Sequence, residues 1–219
     1  MKNLLRLLIS LAAVGLSFAA QAQDAQAGEK KAAMCIGCHG IPEYKASFPE
    51  IYRVPMIAGQ NAKYIANSLA GYKKGDRKHP SMQAIARGLS EQDMNDLAAY
   101  YSQLGKPAAG QEVAAVTAAA APSTEVATLL ARGNCASCHG ANFKQPIDAS
   151  YPKLAGQHPD YLYAALREYQ IDKNPQVGRN NAIMMGMARQ FTHAEAKLLA
   201  TYIASMPGDL KTVAQSRWR

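Results

Sequence analysis

The chain is defined first by what it lacks. Its 219 residues include only four cysteines, one tryptophan and four phenylalanines, and acids are outnumbered by basic residues, 16 to 24. No segment beyond Ala22 is long and apolar enough to span a bilayer, which excludes a chain threaded repeatedly through a membrane. No stretch alternates apolar and polar residues convincingly as a half-buried strand does. No βαβ pattern surrounds a cysteine pair, so a thioredoxin-like dithiol has no context here. What remains is a helical reading with little aromatic mass of its own.

The N-terminus reads as an address. Lys2 and Arg6 precede an apolar run from Leu7 to Ala19, and Ala20-Gln21-Ala22 offers small residues for cleavage. Residues 1–22 are therefore expected to be a signal peptide cleaved near Ala22, with an uncleaved anchor as the alternative. Its removal takes away two positive charges and no acids, lowering the formal charge from +8 to +6. The mature product is expected to be soluble and exported. The basic tail from Lys211 to Arg219, with the sole tryptophan Trp218, is either a membrane- or partner-touching segment or simply disordered.

All four cysteines fall in two runs of one kind, Cys35-Ile-Gly-Cys38-His39-Gly40 and Cys135-Ala-Ser-Cys138-His139-Gly140, placed 100 residues apart. C-x-x-C-H is the attachment pattern for a c-type haem. Cysteines three apart on one turn both reach the vinyl groups on one porphyrin edge, and the adjacent histidine aims its imidazole at the iron. A zinc site built from both pairs, or two disulfides, would not explain why each run ends in His-Gly. Two covalently bound haem c groups are the expected cofactors. Their four propionates would offset much of the positive charge.

The chain then reads twice. Pro55-Met-Ile-Ala-Gly-Gln60 is matched by Pro152-Lys-Leu-Ala-Gly-Gln157, Tyr64 and Tyr72 by Tyr161 and Tyr169, and Arg77 with Met82 by Arg179 with Met184. Ser90-x-x-Asp93 and Thr192-x-x-Glu195 are capping boxes, each opening a closing helix. Leu97, Tyr100, Tyr101 and Leu104 form the apolar stripe of the first such helix; Leu198, Leu199, Tyr202 and Ile203 form that of the second. The expected organisation is a signal peptide over 1–22, one domain over 23–106, an alanine- and proline-rich linker over 107–122, and a second domain over 123–219. The fold class is all-α, two tandem cytochrome c-like haem domains joined by that linker. Each has a modest protein-only core, so attachment of haem and folding are expected to be coupled.

The second axial ligand separates carriers from catalysts, because a thioether raises the potential whereas an open position admits ligands. Met82 is the first-copy candidate, with Met94 read as core filler and His79 as an exposed loop residue or propionate partner. In the second copy alignment on the closing helix picks Met184, with Met185 as rival and Met187 as packing. The expected metal ligands are thus His39, Met82, His139 and Met184. His158 and His193 are read as exposed helix starts. The carbonyls of Pro55 and Pro152 are placed to accept from the iron-bound histidines, or else belong to ordinary turns. Arg77 and Arg179 are candidate propionate partners. Lys73, Lys74, Arg77 and Lys78 form a basic cluster, either a docking face for an acidic partner or a solvated surface.

The paired C-x-x-C-H-G runs, the P-x-[IL]-A-G-Q segments and M-x-x-[IM]-A before a capped helix resemble dihaem cytochrome c4. The resemblance implies two class I cytochrome c domains with His/Met iron, facing each other across their propionates. It also implies periplasmic electron transfer from a quinol-oxidising complex towards a terminal oxidase, with the segment prolines accepting the histidine bonds. It implies redox proteins as partners, membrane-bound ones included, and neither nucleic acid nor a small-molecule substrate. The alternatives are a dihaem subunit of a periplasmic dehydrogenase or a haem peroxidase. The first copy departs from the pattern between His39 and Pro55, where Ile41–Tyr52 lies in a segment three residues longer than its equivalent. Local packing over the haem is the expected role of that insertion, an altered docking face the alternative.

Overall fold

The computed structural model describes residues 23–106 and 120–214. The expected signal peptide, most of the linker and Trp218 lie outside these residues. The first copy comprises α1 (Ala25–Lys31), α2 (Ala33–His39), a small hairpin β1 (Lys45–Ala46) and β2 (Tyr52–Arg53), α3 (Ala62–Lys74), β3 (Arg77–Lys78), α4 (Pro80–Arg87) and α5 (Glu91–Gln103). The second repeats it without the hairpin: α6 (Thr124–Gly133), α7 (Ala136–His139), α8 (Pro159–Glu168), β4 (Gly178–Arg179), α9 (Ala182–Ala188) and α10 (His193–Ser205). Two tandem helix-rich units of one design result.

Both closing helices start as their sequences dictate. Ser90 Oγ accepts from the Asp93 amide at 3.1 Å while Asp93 returns a bond to the Ser90 amide at 2.9 Å. Thr192 and Glu195 do the same at 3.3 and 2.8 Å. Each cap contributes about 1 kcal/mol by satisfying amides that the helix itself cannot.

In the first copy α1 crosses α5 at backbone contact. A Cβ on Gly28 would lie 2.0 Å from the Asp96 carbonyl oxygen, so only glycine permits this approach. The crossing is pinned by Asp96, which is 2% exposed and accepts from the Asp24 amide at 3.0 Å and from Lys31 Nζ at 2.6 Å. The Lys31 ammonium, with the Asp24 amide, holds the Asp96 carboxyl below its ordinary range. Ile36, Ile65, Leu69, Met94, Leu97 and Tyr101 fill the core beneath. Truncating Leu97 to alanine would cost about 2–5 kcal/mol.

The second core is divided, with Phe143, Leu162 and Ile203 in one cluster and Leu129, Phe191 and Leu199 in another. Leu198 departs from the expected stripe: it is 37% exposed, on the outer side of α10. A helix that packs on one side places only two of four such positions fully inside.

The copies meet along an extensive seam. β3 and β4 pair antiparallel across it, Arg77 opposite Arg179 and Lys78 opposite Gly178. Gln60 donates to the Lys153 carbonyl at 3.0 Å and accepts from the Lys153 amide at 2.9 Å. Gln157 makes the mirror-image pair with Met56, at 2.8 and 2.9 Å. Such self-matching is what a two-fold relation between duplicated units produces. The start of the basic tail is also tied down, since Lys211 pairs with the backbone of Ala58 and donates Nζ to the Gly105 carbonyl at 3.1 Å.

The insertion does not simply cover its own copy. Its hairpin reaches α8 of the second: Arg53 binds Asp160 through both its amide and its guanidinium at 3.0–3.1 Å, Glu50 binds Arg167 at 3.3 Å, and the Tyr52 ring lies 6.1 Å from that of Tyr161. The expectation of local packing is therefore corrected. The extra residues form a strap between units, which pattern alone does not reveal because its partners lie over a hundred residues away.

Candidate haem sites

The two C-x-x-C-H runs sit on short helices, α2 and Cys135 with α7. No disulfide joins any of the four cysteines. Cys35 borders the first core and Cys135 borders both Phe143 and its neighbours in the second. Burial pushes both of these thiols above their ordinary pKa. Among the described residues no three His, Cys, Asp or Glu side chains converge to hold a metal ion, so the pairs do not assemble one thiolate site.

His39 Nδ1 lies 2.9 Å from the Pro55 carbonyl, and His139 Nδ1 lies 3.2 Å from that of Pro152. A carbonyl only accepts, so Nδ1 carries the proton in both rings and Nε2 keeps its lone pair. Burial lowers the pKa of both imidazoles, keeping them neutral. A neutral ring fixed by its other nitrogen is the form that binds iron. The residues present fit a haem in each copy.

The methionines occupy matched places. His79 caps α4 and its ring nitrogen accepts from the Met82 amide at 3.4 Å; Asn181 caps α9 and accepts from the Met184 amide at 3.0 Å. Met82 and Met184 are each the third residue of a short helix, whereas Met185 is one step, about 100° of helical turn, further round. Met94 is buried in the first core as expected, while Met187 is 37% exposed instead of packed. His79 proves to be a helix cap at 6.4 Å from the Tyr52 ring, not a free loop residue. His158 opens α8 but is only 8% exposed, contrary to the exposed start expected; His193 does lie exposed at the start of α10.

Arg179 is buried and Arg77 half-buried, and the two meet at the seam. Arg179 Nε donates to Glu168 at 2.5 Å and its guanidinium lies over the Tyr161 and Tyr169 rings. Arg77 donates to the Ser68 hydroxyl and to the Tyr64 hydroxyl at 3.3 Å, over the Tyr64 and Tyr72 rings. Its buried Nε has no partner, and among the described residues no carboxylate pairs with it. A cation left short of an anion in this place suits a porphyrin carboxylate. The expected basic cluster is consequently split. Lys73 and Lys74 are exposed, Lys78 donates to the Asn174 carbonyl at 2.6 Å, and Arg77 faces inward.

Sequence reasoning passed over Gln60 and Gln157 as anything more than motif letters. Each is 4% exposed and grips the residue next to the other copy's histidine-binding proline. Their repetition at the end of both A-G-Q segments was the available signal.

Two helical units, each with a proline-held histidine beside two cysteines and a methionine third in a short helix, define a two-centre c-type cytochrome. The cytochrome c family model matches residues 25–105 and 123–207. Cytochrome c4 of Azotobacter vinelandii is 31% identical over 94% of this chain and 99% of its own. The thiosulfate dehydrogenase electron acceptor of Stutzerimonas stutzeri strain A1501 is 32% identical over 94% of this chain and 97% of its own. The solved structure of reduced recombinant cytochrome c4 from Pseudomonas stutzeri superposes with a TM-score of 0.59 at 26% identity, covering 85% of this chain and all of that one. The chain belongs to the dihaem cytochrome c4 family within the cytochromes c. It binds two covalent haem c groups and is an electron-transfer protein, not an enzyme.

Proposed function

We propose that the protein is an exported, periplasmic electron carrier that accepts electrons from a quinol-oxidising complex and delivers them towards a terminal oxidase. The observation that carries this reading is the matched pair of centres, each with His and Met in equivalent positions, meeting at one buried seam. Each haem supplies a one-electron iron couple bound through Cys35 and Cys38 or Cys135 and Cys138. His39 and His139, held by Pro55 and Pro152, would supply Nε2 as ligands to the two irons, and Met82 and Met184 would supply their sulfurs. The α4 and α9 caps hold those methionines in place, so a change of oxidation state demands little rearrangement of the chain. Near-infrared magnetic circular dichroism of the oxidised holoprotein tests the ligand sets. Two low-spin His/Met signatures are expected; a bis-histidine or high-spin component overturns the reading.

A second reading, an electron acceptor for a periplasmic dehydrogenase, is supported by the 32% identical relative of that description. Stopped-flow reduction of the oxidised protein by a quinol-oxidising complex or by a thiosulfate dehydrogenase separates the two, the physiological donor being the faster by orders of magnitude. Export predicts that the mature protein from a periplasmic extract begins at Gln23. Among the described residues no helix is long and apolar enough to cross a membrane.

A further inference from the structure

The strap has a second face. Its inner side, with Tyr52 and Arg53, engages α8 of the other copy. Its outer side is apolar for so exposed a segment: Ile41 is 46% exposed, Tyr44 42%, Phe48 53% and Ile51 75%. The corresponding segment of the second copy, between His139 and Pro152, exposes only Ile147 among its large apolar residues. Apolar side chains exposed singly need no explanation, but four gathered on one hairpin do. The pairing of Lys45 with Arg53, and the bond from the Val54 amide to the Tyr44 carbonyl at 2.9 Å, hold them on that one element.

Charge decides what fits this face. Glu43, Lys45, Glu50 and Arg53 are the strap's charged residues, and they sum to zero. Arg53 binds Glu43 at 3.0 Å as well as Asp160, and Glu50 binds Arg167 at 3.3 Å, so only Lys45 has no ion pair among the described residues. A face with so little free charge matches a partner whose own contact surface is uncharged. A lipid bilayer fits poorly, because membrane-seeking segments rim their apolar side with lysine and arginine, whereas Phe48 and Ile51 enclose Glu50. A second copy of the chain also fits poorly. Side chains of roughly 150–250 Å², exposed to the fractions above, offer on the order of 400 Å². A stable complex takes about 800 Å² from each partner, and brief redox encounters take less.

Position supplies the reason for such an encounter. The segment starts directly after Gly40 of the first C-x-x-C-H-G run, and the Ile41 amide donates to the Cys38 carbonyl at 3.4 Å. A protein seated on the strap rests beside the first haem site.

We propose that Ile41, Tyr44, Phe48 and Ile51 form the docking surface for a donor redox protein with an uncharged, apolar contact face. One electron leaves the donor's centre, which is oxidised, and takes the first copy's iron from ferric to ferrous. The proposal rests on the carrier reading above, with either donor named there.

Stopped-flow reduction of the oxidised holoprotein by a quinol-oxidising complex and by a thiosulfate dehydrogenase tests this, together with binding of the holoprotein to each immobilised donor. Phe48→Ser combined with Ile51→Ser should lower both the second-order rate constant and the affinity for the donor that reduces the wild type, by roughly tenfold. The loss should be the same at low and at high salt. Hexaammineruthenium, which needs no docking face, should reduce wild type and variant equally. Both side chains are exposed, so the guanidinium unfolding midpoint should not move; if it does, Ile51→Ser, at the most exposed position, decides. Ile147→Ser, on the second copy, should leave rate and affinity unchanged. A double variant indistinguishable from wild type, a loss confined to low salt, or a loss produced by Ile147→Ser instead overturns the proposal. So does wild type that floats with liposomes or sediments as a dimer while the double variant does neither. Wild type that neither donor reduces overturns the carrier reading instead.

Discussion

Gln157 of the second copy and Met56 of the first exchange two hydrogen bonds, Nε2 to the Met56 carbonyl at 2.8 Å and the Met56 amide to Oε1 at 2.9 Å. Met56 follows Pro55, whose carbonyl orients His39, so one copy's side chain braces the histidine proposed as the other copy's iron ligand. Gln157→Ala would leave a buried amide and carbonyl unpaired, a loss of about 1–3 kcal/mol. Guanidinium unfolding of the holoprotein should show the loss, and Gln60→Ala should show a similar one. A midpoint within error of wild type for both would refute the brace.

Matched helix positions favour Met184 over Met185 as the proposed ligand. Met184→Ala should abolish half of the methionine-to-iron charge-transfer band and open one iron to added imidazole, whereas Met185→Ala should leave both features intact. The reverse pattern in near-infrared absorption would transfer the assignment to Met185.

The strap between copies should be pH-sensitive. Burial works to raise the Asp160 carboxyl, and the Arg53 amide and guanidinium outweigh it and hold it below the ordinary value. A depressed carboxylate contributes stability above its unfolded pKa of about 3.9 and loses it as pH falls through the lower folded value. Partial exposure limits the contribution to about 1 kcal/mol. The difference in unfolding midpoint between wild type and Asp160→Asn should therefore be constant near neutrality and vanish in acid. A difference that persists in strong acid would rule out an ionic strap.

Gly28→Ala introduces a methyl where the Asp96 carbonyl leaves no room. Separation of α1 from α5 should cost about 1–3 kcal/mol. Thr128, which stands at the same distance before its C-x-x-C run in the second copy, lies exposed on α6, so Thr128→Ala should change stability little. Thermal unfolding of both variants checks the contrast.

The carriers of chemistry were legible because their physics is local. The C-x-x-C-H spacing follows from one helical turn, the capping boxes from amides three residues away, and the duplication from comparing the chain with itself. Residues whose partners are remote were misread or missed. Arg77 looked like part of a basic surface because nothing nearby in sequence shows it turning towards Arg179.

By itself, then, the sequence determined two helical haem units, the two C-x-x-C-H runs that attach the haems, and the duplication that matches Met82 with Met184. Only the tertiary structure decided how the units meet: the exchanged glutamines, the strap from Arg53 to Asp160, and the Arg77–Arg179 pairing with Glu168 beside it. The reason is physical. Covalent spacing and helix periodicity act over a few residues, whereas pairing of buried polar groups depends on which surfaces the completed fold brings within hydrogen-bond distance.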